Sequence, residues 1–463
     1  MRRAFRGKGE KPMSFVPGIF NDVLSPVTPG PSSSNTCGPY RIARLGRCLL
    51  GEEPVHVTVR MAADGGYGDT FYAMYSDKAV LAGALGRELT GQDLKNACLL
   101  AEESGLSWDF LFAEDMPLQP SELMDLTLQG ANRSLTLRGA SLGGGEIEIT
   151  RLNGREVRLT GRETGEFTVP GEDRTVVLPP VYPFAAVGQP PFTSAREMLA
   201  YAQSRQLTPA QTAYAYESAL TGASEETLRH CAEELLAVSD RAIRAGGQPG
   251  LTFSGVTAPK CPRYAAAAAR GDTISLGTAD RGVAEALALM EYSNAHGIIA
   301  CMPTGGAAGI VPAVIRCVGQ SRGLPQRAWQ DALMTAGLIG TFFYPTHYSG
   351  ALGCQAEIGV AIAMAAAAAV SLAGGDCAAA ERAASFGAQS VMGLLCNPVE
   401  GYVQVPCMVR NMTAVPTAIT CANAALGGLD ALIPLDEAVQ LMLAVGEKLR
   451  PCNRAGTWQR GEE

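Results

Sequence analysis

Thirteen cysteines punctuate the 463-residue chain, and three of them stand where the backbone is interrupted. Cys354 lies in SGALGCQAEIG, at a predicted helix start after a glycine-bearing turn. Cys396 lies in GLLCNPVEG, where a helix breaks at Asn397-Pro398, and Cys407 in YVQVPCMVRN, beside Pro406. The three are separated by 42 and 11 residues. Thiolates on chain breaks can converge on one iron–sulfur cluster from different elements. Free cysteine is also among the most buried residue types, and Cys48, Cys98, Cys231, Cys301, Cys317, Cys377 and Cys421 fit that space-filling role. Spacing alone leaves both readings open for the trio. No C-x-x-C pair exists, which disfavours a zinc ribbon or a redox dithiol.

Proton-transfer groups are scarce, because the chain has only four histidines. His56 falls on an alternating strand and His230 on a helix surface beside Arg229, both structural settings. His296 and His347 are the candidate bases, each equally readable as a satisfied core or loop residue. Pro31-Ser32-Ser33-Ser34 offers hydroxyls and backbone N–H groups suited to an anion, or else forms an ordinary polar turn. Lys260 and Arg410 are possible carboxylate partners, Tyr75 and Tyr348 possible hydrogen-bond donors, and Asn411 a possible donor to a cysteine sulfur.

The elements that must position these groups fall into two regions. Residues 1–12 are basic, lack an apolar core and read as a flexible leader, with Met13 as an alternative start. Residues 13–165 mix strands with helices: Val55, Val57 and Val59 share one predicted face, and Ile147 and Ile149 alternate with Glu146 and Glu148. Residues 166–192 carry six prolines from Pro170 to Pro191 and read as a linker without helix or ladder. Residues 193–463 are rich in Ala, Leu and Met, with helices near 225–245, 280–297, 354–373, 378–395, 413–426 and 435–449. The expected fold class is α+β, a mixed α/β domain followed by an all-α bundle. The apolar run Ile358–Leu372 is shorter than the ~20 residues of a membrane span and reads as a packed core helix. A net charge of −8 provides no basic face for nucleic acid, and the cysteines suit a reducing, cytoplasmic setting.

The GCQAEIG, CNPVEG and VPCMVRN segments resemble the α domain of iron–sulfur-dependent L-serine dehydratase. NAHGIIACMPTGG at 294–306 is similar to a further α-domain segment of that family. SPVTPGPSSSNTCGPYRIAR and SLGGGEIEI resemble two β-domain motifs, in the β-then-α order of single-chain members. The resemblance implies a 4Fe–4S cluster on Cys354, Cys396 and Cys407, with one iron left open as a Lewis acid. It also implies a substrate site drawing on Ser32, Ser33, Ser34, Asn35, Thr36, Asp77, Asn294, Thr304 and Gly305. Cys452 is a candidate for the open iron.

Two departures bear on the substrate. Asn35 stands where the family motif GPSSSHT has histidine, and Met74 where GHGTD has its histidine, while Asp77 is kept. Neither replacement can shuttle a proton near neutral pH. The expected activity is elimination of a β substituent from a small amino or hydroxy acid, with L-serine as default and ammonia as a product. L-cysteine or a larger β-substituted acid is the alternative, as is a silent cluster-binding relative. The expected assembly is an oxygen-sensitive homodimer with no membrane or nucleic-acid partner.

Overall fold

The computed structural model describes residues 15–449 apart from 69 and 401. The leader 1–12, Met13 and Cys452 lie outside the described residues. The first half runs β1 (Val27–Pro29), α1 (Ser33–Leu50), β2 (Pro54–Ala62), α2 (Ser76–Ala84), α3 (Ala97–Glu103) and β3 (Ser107–Ala113). It continues as β4 (Glu122–Gly130), β5 (Ser134–Gly143), β6 (Glu146–Leu152), β7 (Arg155–Leu159), β8 (Gly165–Thr168) and β9 (Thr175–Leu178). Six strands form a sheet in the order β3-β2-β4-β5-β6-β7, parallel only between β2 and β3. Val57, Val59, Leu126, Leu128 and Leu137 point to one side and bury the apolar stripe of α1, including Ile42, Leu45 and Leu49. Val55 departs from the expected face. A register shift between Pro54 and His56 bulges the strand there and leaves Val55 exposed.

The second half contains α4 (Ala195–Arg205), α5 (Pro209–Thr221), α6 (Glu225–Gly246), α7 (Cys261–Arg270), α8 (Ala279–Asn294) and β10 (Ile298–Ala300). Then follow α9 (Ile310–Ser321), α10 (Gln326–Phe342), α11 (Ile358–Leu372), α12 (Cys377–Ser390), α13 (Gln404–Leu426) and α14 (Leu435–Leu449). The α+β class expected from the sequence is the one observed. Helix α11 is buried all round among α9, α10, α12 and α13, because alanine on every face lets neighbouring backbones come close. The stretch Cys354–Leu372 is apolar and long enough to cross a membrane, yet it forms the middle of this bundle.

Two expectations need correction. The proline-rich segment 166–192 carries the β8–β9 hairpin, whose Val169 and Leu178 pack into the core under α1. Its prolines flank the strands rather than enter them, so no ladder hydrogen bond is lost. The helical region is also not purely helical, since β10 pairs antiparallel with β1. The two halves are tied together elsewhere too: the π-helical turn Ile19–Val23 buries Ile19, Phe20 and Val23 in the helical core.

Glu217 on α5 secures that turn by accepting hydrogen bonds from the backbone N–H groups of Ile19 (2.7 Å) and Phe20 (3.3 Å). Burial raises its carboxyl from 4.5 to about 7, against the pull of those two N–H donors. Its contribution to stability is therefore fully present below about pH 4.5 and is lost as pH rises through about 7. Glu217→Gln is expected to flatten the fall in Tm between about pH 5 and pH 8, a term of order 3 kcal/mol. Thermal unfolding across that range checks it, and an unchanged pH profile would remove Glu217 from this role.

Candidate active site

Helix α1 begins at the site. Ser32 is its N-cap, with extended backbone and a side chain that accepts from the Asn35 N–H at 3.3 Å. The serine run is therefore a helix N-terminus rather than an isolated turn. Its first-turn N–H groups have no intrahelical acceptors and carry the positive end of the helix dipole, which suits a carboxylate. Asn35 is held on every side: Ser32 Oγ donates to its Oδ1 at 3.0 Å, and its Nδ2 donates to Thr70 Oγ1 at 3.0 Å. Thr36 turns away and donates to the Met74 carbonyl at 3.0 Å, fixing the backbone beside that methionine.

Ser32, Ser33, Ser34, Asn35 and Met74 line a cavity of about 70 Å³. Thr304, Gly305 and Gly306 form the wall facing them. Gly305 cannot be replaced without moving the backbone, because a Cβ there would lie 2.7 Å from the Pro31 carbonyl oxygen. Thr304 Oγ1 is buried with no hydrogen-bond partner among the described residues. Gly143 and Gly144 of the glycine motif close another side. Gly143 has φ 127° and sits so near the His347 carbonyl that a Cβ would approach to 2.3 Å. Glu122, Glu357 and Tyr348 complete the titratable lining together with Cys396 and Cys407.

The three cysteines come together from three elements. Cys354 sits in a 3-10 turn leading into α11, Cys396 in the loop after α12, and Cys407 in the first turn of α13. Cys407 thus rides on a helix rather than a chain break, with Pro406 in the first turn, where its missing N–H costs nothing. A hydrogen bond with Cys396, followed by burial, pushes the Cys354 thiol up, and Cys407 adds to that effect. Arg410 Nη1 donates to Cys354 Sγ at 2.9 Å, so this guanidinium serves the sulfur rather than a carboxylate. Asn411 donates to the Cys407 and Gly306 carbonyls, both at 2.7 Å, and so ties α13 to the Thr304–Gly306 wall instead of reaching a sulfur. Among the described residues no three His, Cys, Asp or Glu side chains converge tightly enough for a single metal ion.

The serine dehydratase alpha chain family matches residues 197–455. An L-serine dehydratase of Streptomyces coelicolor is 32% identical over 90% of this chain and 92% of its own length. The chain belongs to the L-serine dehydratase family. L-serine dehydratase 1 of Escherichia coli is 30% identical over 92% of this chain and 96% of its own length. A probable L-serine dehydratase alpha chain of Bacillus subtilis is 30% identical over 56% of this chain and 87% of its own length.

Not every residue singled out in the sequence, by its chemistry or by resemblance to this family, lines the cavity. Asp77 lies buried in the first turn of α2, and burial raises its carboxyl. Asn294 donates to the Met290 carbonyl at 2.8 Å at the end of α8. Lys260 caps α7, its backbone N–H bonded to Glu291. His296 stacks on Tyr75, with ring centroids 3.5 Å apart, and its Nδ1 meets the Gly30 carbonyl at 3.0 Å. Burial lowers it to about 4, so it is neutral at pH 7. His347 pairs through Nδ1 with Glu146 at 3.0 Å, and that hydrogen bond raises its pKa. Both histidines face neighbouring pockets rather than the cavity of serines and cysteines. Sequence reading passed over Glu122 and Glu357. Glu357 belongs to the quoted GCQAEIG segment, whereas Glu122 carries no local signature.

Proposed function

We propose that this chain eliminates the β substituent of a small L-amino acid, L-serine by default, releasing pyruvate and ammonia, and that Cys354, Cys396 and Cys407 hold a 4Fe–4S cluster for that reaction. The observation that carries the reading is one cavity bounded by a helix N-terminus on one side and by two of three clustered thiols on the other. The donor set fits the cluster: three thiols from separate elements, with Arg410 Nη1 donating to the Cys354 sulfur and Nη2 to Asn397 Oδ1 beside Cys396. When bound, such a cluster supplies a Lewis-acidic iron that makes the β hydroxyl a better leaving group. The relatives named above as L-serine dehydratases support L-serine as the default substrate.

The chain's own residues supply binding and proton transfer. The α1 N-terminus and the Ser33 and Ser34 hydroxyls hold the substrate carboxylate by charge-assisted hydrogen bonds, while Ser32 holds Asn35 beside them. Asn35, fixed by Thr70, orients it without adding charge. With both candidate histidines facing other pockets and Glu357 set beside the Cys354 and Cys407 thiols, Glu122 is the remaining carboxylate of the cavity and is assigned the α proton. Elimination then leaves an enamine that hydrolyses to the keto acid. Glu122→Gln keeps the size of the side chain and removes its basicity. Its kcat is expected to fall by about 10²–10⁴-fold with KM little changed. Exchange of the substrate α proton with deuterated solvent should fall in parallel. Full exchange in the variant would assign the base elsewhere. The lyase reading as a whole is tested by pyruvate release from anaerobically reconstituted protein, and no keto acid from any β-substituted amino acid would overturn it.

A further inference from the structure

Beside the cavity lies a second chamber of about 450 Å³, and the two share Pro31, Met74 and Val403 as a common wall. The outer chamber is lined by Tyr72, Tyr75, Tyr402, His296 and Glu400. Three of these have positive φ: Tyr75 at 60°, His296 at 54° and Glu400 at 50°. L side chains seldom adopt that region, and strained residues gather where a ligand is held. Among the described residues eight non-glycine positions have positive φ, so three around one chamber is a concentration.

The strain has a visible consequence. Tyr75 from the first half and His296 from the helical half meet face to face, with their planes 9° apart. Lys78 Nζ covers Tyr75 at 3.7 Å from the ring centroid, so that ring is a wall and offers no free face. Tyr72 differs: it is 56% exposed and packs edge-on against Phe71 and Phe110, with centroids 5.3 and 6.4 Å away. It is an aromatic surface set in place before any ligand arrives. Met74, an unbranched and polarizable thioether, stands between the two compartments and can shift to let a substituent through.

We infer that the outer chamber is the subsite for the β substituent of the substrate, and that it takes an aromatic one. The inference rests on the lyase reading above and names the substrate class as L-amino acids whose β leaving group carries a flat ring, such as an S-aryl or S-benzyl cysteine. The reaction needs no co-reactant other than water. The α proton leaves Cα, the Cβ–S bond breaks, a carbon–carbon double bond forms, and the thiol departs with a proton. The enamine then takes up water to give pyruvate and ammonia.

Calorimetric titration of the full chain with S-benzyl-L-cysteine, S-methyl-L-cysteine and L-serine tests this, with and without reconstituted cluster. S-benzyl-L-cysteine is expected to bind about tenfold more tightly than the S-methyl compound. In Tyr72→Ala the two should come within about twofold, while L-serine binding is kept. Equal affinity of the wild-type chain for both thioethers would overturn the subsite, as would a preference that survives Tyr72→Ala. The two readings fail separately. A benzyl preference without pyruvate from any substrate would remove the lyase reading and keep the subsite. Pyruvate from L-serine without a benzyl preference would do the reverse.

Discussion

Cys354→Ser is expected to abolish pyruvate release, by at least about 100-fold, and to lose most of its iron after anaerobic reconstitution. Altering a group that merely supports a metal ligand typically costs about 10–100-fold, and loss of the ligand itself should cost more. The wild-type chain should hold about four irons and absorb broadly at about 400 nm. Cys396→Ser and Cys407→Ser should behave like Cys354→Ser. Cys377→Ser is the control, because that thiol opens α12 and points to the Leu207 carbonyl at 3.7 Å and Thr212 at 3.6 Å. If Cys377→Ser and Cys354→Ser lose iron alike, the ligand assignment is wrong. Air should remove cluster and activity together, since an iron without a protein thiolate is open to oxidants. Full activity in metal-free protein would sink the cluster's part in the reaction.

The second large effect concerns L-serine itself. Asn35 and Met74 both line the cavity, one clamped by Ser32 and Thr70, the other packed and only 4% exposed. Neither moves a proton near pH 7, and each stands where the family motif has histidine. Wild-type kcat/KM for L-serine is expected to lie about tenfold or more below that for the best member of a panel of larger β-substituted acids. Asn35→His/Met74→His should raise the L-serine value by about 10²–10⁴-fold and lower the others, by restoring acid–base groups and replacing the flexible Met74 thioether between the two compartments with a stiffer ring. Should the wild-type chain turn over L-serine fastest of the panel, these two positions do not set specificity. Plain serine dehydration would then be the whole activity.

Local pattern carried much of this protein. Helices α6, α8 and α11 to α14 were legible because alanine- and leucine-rich runs with glycine-marked ends encode helix whatever packs on them, whereas α4, α5, α7, α9 and α10 were not picked out as separate elements. The segments around Cys354, Cys396 and Cys407 were legible as short motifs, and so was the serine run, though its role as the cap of α1 was not. What local pattern left open was contact. The β8–β9 hairpin hides among prolines because they only flank it. Strand β10 is three residues long and exists because β1, 273 residues earlier at its first paired position and 269 at its last, lies opposite. Val55 was expected on the face of Val57 and Val59, but a bulge turns it outward. His296 and His347 have the right chemistry for a base, yet one is stacked on Tyr75 and the other paired with Glu146. Glu122, from a strand start with no motif, reaches the cavity instead. Residue type and spacing set what a side chain can do. Which groups share a cavity depends on how elements hundreds of residues apart pack together, and that information is absent from any local stretch of chain.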